Sequence, residues 1–134
     1  MNWKLILQLS LFGLAMGAAT ISLVPTNVEP FFWLVILLFC GRMIAVRGNG
    51  KPFLHGLCLG LVNCVWVTGA HILFFETYLA NHAREAAMMS SMPMPDSPRL
   101  MMAMTGPVVG VVSGVVIGVV AMVFARFSGP PGRQ

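Results

Sequence analysis

The side chains able to take part in chemistry are few, and most stand on one stretch, where His55, Asn63, Thr68, His71 and Glu76 interrupt an apolar run. Histidine and glutamate could relay a proton or hold a cation, and an ionisable residue deep in a membrane marks function by default. His71 and Glu76 are therefore the candidate transport residues. A second group comes next along the chain, in which Met88, Met89, Met92, Met94, Met101, Met102 and Met104 lie close together just after His82. Thioethers are soft ligands that select Cu(I), so His82, Met89, Met92 and Met94 form a candidate Cu(I) set. The competing role of these methionines is adaptable apolar packing, in a loop lying on a membrane surface or against a partner. Motifs of enzyme chemistry are absent: there is no HExxH, no GxSxG, no GxxxxGK[ST] and no CxxCH. Cys40, Cys58 and Cys64 lie inside apolar runs without a repeated CxxC spacing, which suits packing rather than zinc. The expectation is a protein that is not an enzyme and carries no cofactor.

Whatever these residues do, the elements that hold them are apolar. Of the 134 residues 57% are hydrophobic and 9% charged, far below the roughly 25% charged of a soluble domain. A hydrocarbon core about 30 Å thick takes ~20 residues of helix. Four stretches qualify, at about 5–24, 30–46, 53–75 and 103–125, within a single integral membrane domain covering 1–134. The first also has features of a signal peptide, with Lys4 before it and Gly17, Ala18 and Ala19 within it. Its apolar character runs on through Val24 to spanning length, which predicts a retained helix.

The net charge of +4 is read as membrane-orienting rather than as a nucleic-acid footprint. With four spans, Lys4, Arg42, Arg47, Lys51, Arg126 and Arg133 share one face. Arg84 and Arg99 fall on the other, balanced by Glu29, Glu85 and Asp96. Both termini are thus expected in the cytoplasm. Two connections are short and force antiparallel neighbours, giving an all-α, four-transmembrane-helix antiparallel bundle. The long outer loop, about 80–102, should begin as a continuation of the third helix through Met89, until Pro93, Pro95 and Pro98 break it.

Within the bundle, Gly106, Gly110, Gly114 and Gly118 recur at every fourth residue, a glycine zipper, and Gly13/Gly17 and Gly56/Gly60 repeat the spacing. Helices in lipid associate by close packing, which a row of glycines permits. The row could face another helix of the same chain or another subunit. At 1.5 Å per residue Asn63 sits about 15 Å up the third span, His71 about 27 Å and Glu76 about 35 Å. Asn63 is then expected to hydrogen-bond a neighbouring helix. His71 and Glu76 lie about 140° apart on the helix wheel, which argues against a single-helix relay. Glu76 is expected to cap locally, meet headgroups or pair with Arg84. His55 and His71, about 24 Å apart, cannot share one haem iron within a chain.

From Phe53 through Arg126 the sequence FLHGLCLGL, the aromatic exit FFETYLANH, a polar outer loop and a glycine-rich last helix ending in ARF resemble small four-helix bacterial inner-membrane proteins of unknown function. That resemblance implies a four-span fold in the inner membrane and carries over no site residue. The expected role is a non-catalytic assembly or accessory subunit, a homo-oligomer or part of a larger membrane complex, in contact with the lipid bilayer. A small oligomeric transporter or channel and Cu(I) handling are the alternatives.

Overall fold

The structure is a computed structural model and describes residues 1–89 and 91–128; Arg133, counted in the charge asymmetry, lies outside them. The described residues form six helices: α1 (Trp3–Ser22), α2 (Glu29–Arg47), α3 (Pro52–Leu73), α4 (Phe75–Asn81), α5 (Ala83–Met89) and α6 (Pro98–Ser128). Of these, α1, α2, α3 and α6 are long and apolar enough to cross a membrane. They are the four stretches the sequence marks, with shifted ends.

The starts of these helices obey local rules. The Asn2 side chain caps α1 by accepting from the Leu5 N–H at 3.1 Å. Proline stands in the first turn of α2, α3 and α6, where a missing N–H costs nothing. Pro98, expected to break a helix, therefore opens α6 five residues ahead of the expected start. The helix continues through Pro107, whose ring leaves the Ala103 carbonyl without its helical donor. Between α2 and α3 the backbone passes through three successive left-handed residues, Asn49, Gly50 and Lys51, with Gly50 at φ 82°.

The third helix does not run on unbroken. It ends at Phe74, whose φ and ψ of −106° and 34° leave the helical region. Two short helices come after it, α4 and α5, and the turn between them is set by side chains. Asn81 Nδ2 donates to the Thr77 carbonyl at 2.8 Å and His82 Nδ1 pairs with the Tyr78 carbonyl at 2.8 Å. The His82 bond occupies a carbonyl that the end of α4 would leave open.

The most extensive contact is between α3 and α6. Gly56 faces Gly118, Gly60 faces Gly114, Cys64 faces Gly110 and Thr68 faces Gly106. Each four-residue step along α3 is matched by a four-residue step back along α6, so the two helices run in opposite directions where they touch. By contrast α1 runs alongside α3 in the same direction, with Gly13 on Asn63 and Gly17 on Val67. Hydrogen bonds join that pair at three levels: Asn2 N–H to His55 Nε2 at 2.9 Å, Trp66 Nε1 to Ser10 Oγ at 3.2 Å, and Thr20 Oγ1 with His71 Nε2 at 2.9 Å.

Leu5, Ile6 and Leu9 of α1, Cys40 and Ile44 of α2, Leu59 of α3, and Ile117 and Ala121 of α6 make one buried cluster in the half of the bundle that holds residue 1. The outward surface is as apolar as the core: Phe31 is 67% exposed, and Phe32, Leu34, Val35, Leu38 and Phe39 beside it are also exposed. A surface of this kind is stable only against another apolar phase.

Candidate functional site

Opposite the packed half, the bundle is open. The buried residues of α2 are confined to its second half, Cys40, Gly41 and Ile44. Its first half, from Glu29 to Leu37, bounds a cavity of about 560 Å³ whose other walls are residues 60–71 of α3 and 102–117 of α6. That volume lies within the ≈ 300–1,000 Å³ range of small-molecule sites. Most of the wall is aliphatic. Its polar groups are Glu29, Trp33, Asn63, Thr68, His71, Thr105 and Ser113.

Several of those groups are already engaged. Ser113 and Thr105 donate back into α6, to the Val109 and Met101 carbonyls at 2.7 and 2.9 Å. Trp33 Nε1 donates to Glu29 Oε1 at 3.0 Å, one turn apart on α2, which orients the carboxylate and leaves Oε2 free of that bond. The Thr20 hydroxyl donates its single proton to the Met16 carbonyl at 2.8 Å. It must therefore accept from His71 Nε2, and a neutral His71 keeps its lone pair on Nδ1. Among the described residues Glu29 is the one charged side chain lining the cavity.

Asn63 is different. It is 8% exposed and its Oδ1 is buried without a hydrogen-bond partner. The interhelical hydrogen bond expected of it is not made. The side chain instead lies against Gly13 of α1, where the nearest backbone donors are committed to the helix. Asn63 thus packs by shape, with its Oδ1 turned to α1, none of whose residues lines the cavity.

At the polar end an aromatic column leads away from the cavity. The His71 and Tyr78 rings lie 4.5 Å apart and Tyr78 stacks on His82 at 4.3 Å. Burial pushes the Tyr78 phenol up to about 12, with the Glu85 and Glu29 carboxylates adding to the effect. His82 is 4% exposed, and its Nε2 and the Oε2 of Glu85 are both buried without partners.

The other residues singled out from sequence have separate fates. Glu76 is far from His71 in role: it is exposed and pairs with Arg99 at 3.3 Å rather than with Arg84. His55 is consumed structurally, accepting from the Asn2 N–H and donating from Nδ1 to the Lys51 carbonyl at 3.0 Å. His82 is turned onto Tyr78, whereas Met89, Met92 and Met94 are half-buried. Among the described residues no three His, Cys, Asp or Glu side chains converge to hold a metal ion. Sequence reasoning missed Glu29 as a site residue because His71, which lines the same cavity, lies at the far end of the next helix. The i, i+4 spacing of Glu29 and Trp33 was the available signal. Compared with protein-family models, with curated proteins and with solved structures, the chain matches none.

Proposed function

We propose that this chain is a non-catalytic accessory protein of a bacterial inner membrane, an antiparallel four-span bundle with both termini in the cytoplasm, whose task is to hold a lipid-soluble molecule in the cleft between α2, α3 and α6. The observation that carries the reading is the cavity itself: about 560 Å³ among the apolar helices, walled mostly by aliphatic side chains, with Glu29 and His71 among its few polar groups. Its mostly aliphatic wall suits a hydrocarbon chain or small ring system.

This reading replaces assembly through the glycine faces with binding. Gly56, Gly60, Gly106, Gly110, Gly114 and Gly118 are occupied within the chain, and Gly13 and Gly17 face α3, so none of these faces is free for a second subunit. Of the transport pair, His71 lines the cleft whereas Glu76 is exposed and paired with Arg99, which favours binding over a relay through both.

Val109 and Val112 line the cavity and are exposed at its edge, so larger side chains there would fill the cleft without entering the core. After extraction in mild detergent, native mass spectrometry should find a lipid-soluble molecule retained by the native chain and lost from the Val109→Phe/Val112→Phe variant. A native chain carrying nothing, or a variant that retains the same molecule, overturns the proposal.

A further inference from the structure

The cleft is polar at one end only. Glu29 is the first residue of α2, His71 lies two residues from the end of α3, and Met102 and Thr105 lie near the start of α6. These positions share one level, at the ends of three helices. The opposite end of the cavity is Leu37, Gly60, Val116 and Ile117, with the packed core beyond it. An occupant with an apolar body and a polar head therefore lies along the bilayer normal, its head at the water interface and its body toward the middle.

The free atoms at the polar end are acceptors. Glu29 presents a carboxylate oxygen, and neutral His71 presents Nδ1 because its Nε2 proton is given to Thr20. No Lys or Arg lines the cavity among the described residues. A head that donates hydrogen bonds and carries positive charge is matched here, and an anionic head meets a carboxylate with no lining cation to offset it. We propose that the cleft selects an amphiphile with a protonated amine head and a hydrocarbon body, with Glu29 as the counter-charge and His71 Nδ1 as a second acceptor. This rests on the cleft reading and adds to it the chemistry of the head.

The test uses contact quenching. With Trp3→Phe and Trp66→Phe, Trp33 is the sole tryptophan and sits on the cleft wall. The chain is placed in phosphatidylcholine bilayers at pH 7 and titrated with a dibrominated octadecyl amine and, separately, with the sulfonate of the same chain. The amine should displace bulk lipid at Trp33 at least about tenfold more strongly than the sulfonate, about 1.4 kcal/mol of preference. Glu29→Gln keeps an oxygen to accept from Trp33 but removes the charge, and should bring the two within about twofold. If the native chain does not discriminate between the heads, or if Glu29→Gln keeps the preference, the inference about the head is overturned. If both probes quench no better than bulk lipid, and the Val109→Phe/Val112→Phe variant behaves identically, the cleft reading itself fails.

Discussion

Replacing Gly60 by alanine adds one methyl group where α3 meets α6, and the same change at Gly69 adds one on the same helix with nothing within 4 Å of it. At position 60 the new Cβ would stand 2.5 Å from the Gly110 carbonyl oxygen and would meet the Gly114 backbone. Ordinary contact begins at 3.4 Å, so relief requires the helix backbones to part by about 1 Å, with loss of dispersion contacts along their shared length. Overpacking of this kind costs about 1–3 kcal/mol, and helix propensity returns up to ~1 kcal/mol for Gly→Ala. The propensity gain is common to both variants. Gly69→Ala should therefore be neutral or stabilised, and Gly60→Ala should fall below it by the overpacking term, about 1–3 kcal/mol. The assay is reversible unfolding in mixed micelles of mild detergent and dodecyl sulfate, monitored by far-ultraviolet circular dichroism. A Gly60→Ala chain as stable as Gly69→Ala would refute the claim that main-chain contact holds α3 to α6.

The α2–α6 contact makes a reciprocal case: a Cβ on Gly41 would lie 2.6 Å from Val120 Cγ1, so Gly41→Ala should destabilise by about 1–2 kcal/mol. Val120→Ala in the same chain should recover most of that loss in the same unfolding assay. Tyr78 is the sole tyrosine, so the absorbance of tyrosinate reads it alone. The folded phenol, raised to about 12 from 10.0, holds its proton more tightly than the unfolded one. Its contribution to stability is thus full below pH 10 and declines as pH rises through about 12. The folded chain should titrate near pH 12, Glu85→Gln should lower that midpoint, and a folded midpoint near 10 would contradict the buried, negatively flanked setting. Cysteines introduced at Asn2 and Arg126, in a chain with Cys40, Cys58 and Cys64 replaced by alanine, should be labelled by an impermeant maleimide from the same side of the membrane. Labelling from opposite sides would overturn the even number of spans.

The number and approximate position of the long apolar helices were legible because they depend on summed hydropathy, which averages over ~20 residues. Helix ends were less so. Pro98 reads as a breaker or as a first-turn residue depending on which side the helix lies, and only packing decides. The end of α3 at Phe74 has no glycine or proline to announce it. It is fixed by the burial of the next residue, Phe75, whose ring lies beneath the Arg99 guanidinium at 5.1 Å.

The packing surface was half legible, and the missing half identifies what the spacing measures. The four-residue row of glycines stops after Gly60 on α3, but the small-residue period continues through Cys64 and Thr68 to meet Gly110 and Gly106. What the contact requires is a thin side chain every fourth residue on each helix, and glycine is only its extreme case. The site, in contrast, is assembled across elements. Glu29 and His71 are far apart in sequence and reach one cavity only because α3 is held between α1 and α6 by small residues, while the first half of α2 has none to draw it in. Phe31, Phe32, Leu34 and Val35 fill that half instead and face outward. The same rule that closes the bundle around the glycines thus leaves it open at α2, and the cleft is where the small-residue code is absent.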